Sequence, residues 1–113
     1  MRVETVRGPI SIDQLGSTLM HEHLTSLVPG RWPSGGEQDD VVQVGGRALA
    51  GIKRLGVGTV VDLTTADGMG APGRGVEALR GIAERTGLHV VAASAFYKDP
   101  FLPDWVVGAV SMT

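Results

Sequence analysis

The chain has 113 residues, enough for one ordinary domain, and its Lys+Arg 10 against Asp+Glu 12 leaves a formal net charge of −2. No basic footprint for nucleic acid or an anionic membrane surface is present. Hydrophobic residues at 42% and charged residues at 19% place it among globular chains rather than disordered ones, and Cys 0 excludes disulfides and thiolate chemistry.

Val3 to Ile12 holds Val-x-Thr-Val and, after Gly8-Pro9, Ile-x-Ile, which predicts two short strands or a hairpin-like N-terminal cap. A short apolar run from Leu15 leads into His21-Glu22-His23-Leu24, so Ser17 to Met20 is expected to be a buried strand with the histidines at its C-terminal end. Thr25 to Glu37 is punctuated by Pro29, Gly30, Pro33, Gly35 and Gly36 and reads as a loop. From Gln38 the period changes. Val41, Val44, Ala48, Ile52 and Leu55 step by three or four as one helix face, with Asp39 and Asp40 in front, Lys53-Arg54 behind and Gly56 at the C-terminal stop. Gly45-Gly46 weighs against this helix, since each glycine costs about 1 kcal/mol relative to Ala. Val57 to Thr64 is a β-branched run of strand length. A glycine-rich loop, Ala66 to Gly75, precedes Val76, Leu79, Ile82 and Ala83 at helical spacing, closed by Gly87, and Leu88 to Ala95 is a third strand-like run. Glycine, at 17 of 113, is in excess and falls mostly at the edges of these segments, where turns belong.

Short apolar strands alternating with amphipathic helices imply a parallel sheet, because each return crossover needs its helix. A doubly wound sheet and part of a (β/α)8 barrel both fit, and both bind ligands at the C-terminal strand ends. That rule directs attention to His21 and His23, to Asp62 through Asp67, and to Phe96 through Asp99.

Side chains two apart on a strand share a face, so His21 and His23 can offer two imidazoles to one transition metal while Glu22 turns away. The bland alternative is a pair of ordinary histidines. His21-Glu22 does not open a helical His-Glu-x-x-His motif, since Thr25 holds the second histidine's place. Gly68-Met69-Gly70-Ala71-Pro72-Gly73 spells Gly-x-Gly-x-x-Gly between strand and helix. Thr65, Ala66 and Asp67 intervene after the strand, however, and the acid expected about 20 residues on is missing, which argues against a dinucleotide site. Asp62 is either a group orienting a ligand or a buried carboxylate bonded to backbone. His89 starts its strand at the end associated with stability, Lys98-Asp99-Pro100 reads as a turn, and Trp32 and Trp105 read as packing residues.

Val6-Arg7-Gly8-Pro9-Ile10 followed by Gly16-Ser17-Thr18-Leu19-Met20-His21-Glu22-His23-Leu24 resembles the opening of the phosphotriesterase-related family of the amidohydrolase superfamily. The resemblance continues through Thr59 to Thr65, Thr86 to Ala93 and Phe96-Tyr97, nearly the whole chain in register. It implies the N-terminal part of a (β/α)8 barrel, about three βα units, in an enzyme that hydrolyses esters, lactones or phosphotriesters at a binuclear divalent-metal site, commonly zinc. By the same resemblance His21 and His23 match two metal ligands, Tyr97 matches a substrate-contacting tyrosine of lactone-hydrolysing members, and full-length relatives are expected to be homodimers.

The chain departs from the family's pattern at Gly73-Arg74-Gly75, where Gly-Arg-Asp is common, and at Ala93-Ser94-Ala95, where Ala-Thr-Gly is usual. The bridging lysine, two further histidines and the final aspartate of the family come from later strands that this sequence does not include. The expectation is therefore one incomplete barrel: a cap over about 1–14, a βαβαβ unit over about 15–97 and an irregular tail over 98–113. Alone it is expected to be inactive and marginally stable, with an unpaired sheet edge. The competing reading is a non-enzymatic α/β fragment that binds a nucleotide or a metal. Met1-Arg2-Val3-Glu4 does not open a signal peptide, and no apolar stretch reaches the roughly 20 residues of a membrane span, so a cytoplasmic protein is expected.

Overall fold

A computed structural model describes residues 1–24, 38–64 and 75–94, the side chains of 38–41 apart. The chain opens with an antiparallel hairpin of β1 (Arg2–Thr5) and β2 (Gly8–Ser11), in which Val3 pairs with Ile10. The turn is tied by Thr5 Oγ1, which donates to the Gly8 carbonyl at 2.7 Å and accepts the Arg7 N–H at 3.2 Å. Ser11 then caps a single 3-10 turn, Ile12–Gln14, and Gln14 Oε1 accepts the Ser11 N–H at 2.8 Å.

The rest is a parallel α/β unit. β3 (Ser17–Glu22), β4 (Val57–Asp62) and β5 (His89–Ala92) lie in sequential order in one three-stranded sheet. Helix α1 (Gln38–Arg54) links the first pair and α2 (Val76–Thr86) the second. Each helix stops where glycine supplies a left-handed backbone, Gly56 at φ 101° and Gly87 at φ 74°. The Gly87 N–H bonds the Ala83 carbonyl at 2.9 Å and so satisfies an otherwise orphaned acceptor.

The core sits between α2 and β5. Leu79, Ala83, Val90 and Val6 form its buried cluster, with Leu24 and Ala92 packed against it. Val6 belongs to the hairpin turn, and its N–H donates to the Val90 carbonyl at 2.9 Å while its own carbonyl accepts Arg80 Nε at 2.9 Å. The hairpin thereby covers part of the outer edge of β5, an edge expected to be unpaired.

Two expectations need correction. The Ser17–Met20 segment is a strand but not a buried one: it lies at the sheet edge, with Ser17 exposed and Met20 67% exposed. Of the α1 face marked by Val41, Val44, Ala48, Ile52 and Leu55, Ile52 is half-buried and the side chain of Val41 lies outside the described residues, but Val44, Ala48 and Leu55 are exposed and do not face inward. Val44 and Leu55 are 61% and 85% exposed, whereas Val42 and Gly46 are buried. The contact between helices explains the choice. A Cβ on Gly45 would lie 2.8 Å from Ile82 Cδ1, one on Gly46 3.2 Å from Arg85 Cδ, and one on Gly81 2.9 Å from Val42 Cγ2. Close approach at three glycines selects the buried face, and burial of Ile82 and Val42 there offsets the helical cost of Gly45 and Gly46.

The parallel register is adjusted twice. Ser17 pairs with Val57 but Thr18 with Thr59, so Gly58 is an extra residue in β4. It needs to be glycine, because a Cβ there would collide with the Leu15 carbonyl oxygen. That same oxygen accepts Thr59 Oγ1–H at 2.6 Å, which anchors the entry of β3 to β4.

Candidate metal site at the strand ends

Leu19 pairs with Val60 and Glu22 with Asp62, so three steps along β3 match two along β4. The extra residue falls at Met20-His21. Such a bulge bends the strand and re-aims side chains, and bulges recur beside functional sites. His21 lies within β3 and is exposed, while His23 follows the strand and is half-buried. Simple alternation along one strand therefore does not describe the pair, since His23 has left the ladder. Even so, the two rings meet, with centroids 5.6 Å apart and planes at 68°.

The histidines sit at the end of the sheet expected for a site. Glu22 pairs with Asp62 and Asp62 with Ala92, so the C-terminal ends of β3, β4 and β5 are level. Backbone bonds close this rim: Leu63 N–H donates to the Glu22 carbonyl at 2.8 Å and Ala93 N–H to the Asp62 carbonyl at 3.0 Å.

Asp62 is fully buried, and its carboxylate accepts the Thr64 N–H at 2.7 Å and the Leu24 N–H at 2.8 Å. Of the two roles open to it from sequence, the structure assigns the backbone-bonded carboxylate. It also does more than satisfy itself, because it fixes the segment that carries His23 to the segment that carries Thr64. Thr64, 2% exposed, places Oγ1 3.2 Å from His23 Nδ1. Thr64 falls within the Asp62–Asp67 stretch to which the sequence directs attention, but the sequence gives it no role and does not yield this network, although Asp-x-Thr at a strand end is a local turn signal. His89 opens β5 at the opposite end of the sheet and is half-buried.

The donor set fits one borderline transition metal in part. Two imidazoles bound through one nitrogen each to a tetrahedral ion at about 2.0–2.1 Å have ring centroids roughly 5 Å apart. The observed separation of 5.6 Å lies close to that spacing and is equally that of an ordinary edge-to-face ring contact. Among the described residues, no group of three or more His, Cys, Asp or Glu side chains could hold a metal ion. Tyr97 lies outside the described residues, as do Asp67, Phe96, Lys98, Asp99, Trp32, Trp105, the Gly68–Gly73 pattern and the tail 98–113. No helix among the described residues is long and apolar enough to cross a membrane.

A family model, the phosphotriesterase family, matches residues 1–113. The chain belongs to the phosphotriesterase family. A phosphotriesterase homology protein of Mycobacterium tuberculosis (strain ATCC 25618 / H37Rv) is 36% identical over 99 residues, covering 84% of this chain and 29% of the relative. The N-acetyltaurine hydrolases of Rattus norvegicus and Danio rerio are 30% and 29% identical, each match covering 87% of this chain and 36% of the relative. The chain thus spans about a third of the length of these curated relatives.

Proposed function

We propose that this chain carries the first part of the metal centre of a phosphotriesterase-family hydrolase, on the opening βα units of a (β/α)8 barrel. His21 and His23 are two ligands of one divalent cation, zinc foremost. The observation that most supports this is the meeting of the two rings at the level C-terminal ends of three parallel strands. A cation there would lower the pKa of a bound water and polarise a carbonyl or phosphoryl oxygen.

The chain's own residues supply the frame for that chemistry. His21 and His23 offer the nitrogen donors, the bulge at Met20-His21 aims the first of them, and Asp62 fixes the backbone beside the second. Tyr97 is assigned to the substrate side. The substrate class is a small ester or lactone, with phosphotriesters in the same reach. Relatives named for hydrolysis of N-acetyltaurine extend the class to small N-acyl compounds, in which water attacks the acyl carbon and an amine leaves.

Two imidazoles are too few ligands to fix a binuclear centre, so the 113-residue chain is expected to bind zinc without turnover. Hydrolysis assays with lactone, aryl ester, paraoxon and N-acetyltaurine, in the presence of zinc, test this. Turnover abolished by His21→Ala would overturn the expected lack of turnover and keep the metal role. Calorimetric titration with NAD that gives binding, beside a zinc titration that gives none, would favour the nucleotide-binding alternative instead.

A further inference from the structure

Neutral imidazole has one nitrogen with a lone pair to give a metal, and the partner of the other nitrogen decides which one that is. At His23 the partner is already in place: Nδ1 lies 3.2 Å from Thr64 Oγ1. The pairing is not a chance meeting of mobile groups. Thr64 is 2% exposed, and its backbone N–H is held by Asp62 Oδ1 at 2.7 Å. The other oxygen of that carboxylate holds the N–H of Leu24, the residue after His23, at 2.8 Å. One fully buried group thus holds both the backbone that carries the hydroxyl and the backbone next to the ring that it meets.

We propose that Thr64 is a positioning residue for His23. Its hydroxyl oxygen accepts the Nδ1–H, fixes the tautomer with the proton on Nδ1, and leaves the Nε2 lone pair for a cation shared with His21. The second half rests on the metal reading of the previous subsection, whereas the tautomer itself does not. A hydroxyl can also donate. In that case Nδ1 would accept, Nε2 would carry the proton, and the ring would be set against binding through that nitrogen.

The metal-free, 15N-histidine-labelled chain distinguishes these cases by long-range proton–nitrogen correlation. The His23 signals are assigned by their loss in His23→Asn. The proposal expects an Nδ1-protonated ring in the wild type and in Thr64→Ser, and loss of that preference in Thr64→Val. Zinc titration should then show affinity kept in Thr64→Ser and reduced about tenfold or more in Thr64→Val. An Nε2-protonated His23 in the wild type overturns the proposal whatever the variants do. An unchanged tautomer in a folded Thr64→Val, judged by its backbone amide spectrum, overturns it as well. An Nδ1-protonated wild type whose preference Thr64→Val abolishes, but which binds no zinc, supports the positioning role and refutes the metal reading.

Discussion

The carboxylate of Asp62, at the end of β4, accepts the backbone N–H of Leu24 at 2.8 Å, across 38 positions of sequence. Its other oxygen accepts the Thr64 N–H at 2.7 Å. This carboxylate joins the end of β3, where the histidines stand, to the end of β4, beside the backbone bond from Leu63 N–H to the Glu22 carbonyl. Removing it leaves two N–H groups without their acceptor, that of Thr64 buried and that of Leu24 part-buried, and each such loss costs about 1–3 kcal/mol. Asp62→Ala should therefore lower stability by about 2–5 kcal/mol. Asp62→Asn should fall between, since an amide keeps one acceptor oxygen and points a donor at the other N–H. Urea unfolding of the three proteins checks the order, and a loss below about 0.5 kcal/mol in Asp62→Ala would show that the tie is idle.

Gly58 tests the register of β3 against β4. A methyl group there meets the Leu15 backbone oxygen, which cannot rotate away as a side chain could. Gly58→Ala should destabilise by about 1–3 kcal/mol, in spite of the lower entropy of an alanine in the unfolded chain. It should also disturb the bond from Thr59 Oγ1 to the same oxygen, seen as faster amide exchange at the start of β3.

The contact between helices makes a prediction about coupling. A methyl at Gly81 would lie 2.9 and 3.0 Å from the two Cγ atoms of Val42, a β-branched side chain with little freedom to turn. Gly81→Ala should therefore lose about 1 kcal/mol or more, although alanine is the better helix former. In Val42→Ala the space opens, and the added methyl should be tolerated or favourable. A double-mutant cycle by urea unfolding should give an interaction energy of at least about 0.5 kcal/mol, and simple additivity would refute the contact.

Much of the fold was legible in the sequence because its signals are local. Gly56 and Gly87 mark helix ends by a backbone conformation that other residues adopt at a cost, and the β-branched runs mark β4 and β5. The inward face of α1 was not legible. Val44 and Leu55 have the right period, but the buried face was set by how closely α2 can approach at Gly45, Gly46 and Gly81, a property of two helices together. Gly45-Gly46, which weighed against the helix, is part of what packs it.

At the site, the His21/His23 spacing drew attention to the right end of the sheet, but alternation alone misdescribed how the rings meet. The bulge at Met20-His21 depends on pairing with β4 and leaves no mark in β3 itself. The role of Thr64 was not legible for a similar reason: its partners Asp62 and His23 are joined only when two strand ends come level. Ser11-Ile12-Asp13-Gln14, by contrast, is a capping-box pattern that sequence could have yielded, and it forms around the short 3-10 turn.

If His21 and His23 hold one cation between them, calorimetric titration of the 113-residue chain with zinc reads it out. One site is expected, abolished by EDTA competition, with affinity reduced about tenfold or more by His21→Ala and by His23→Ala alike. His89→Ala, at the far end of the sheet, should leave it unchanged. Zinc binding that is indifferent to both His21→Ala and His23→Ala, or that depends on His89, would contradict it.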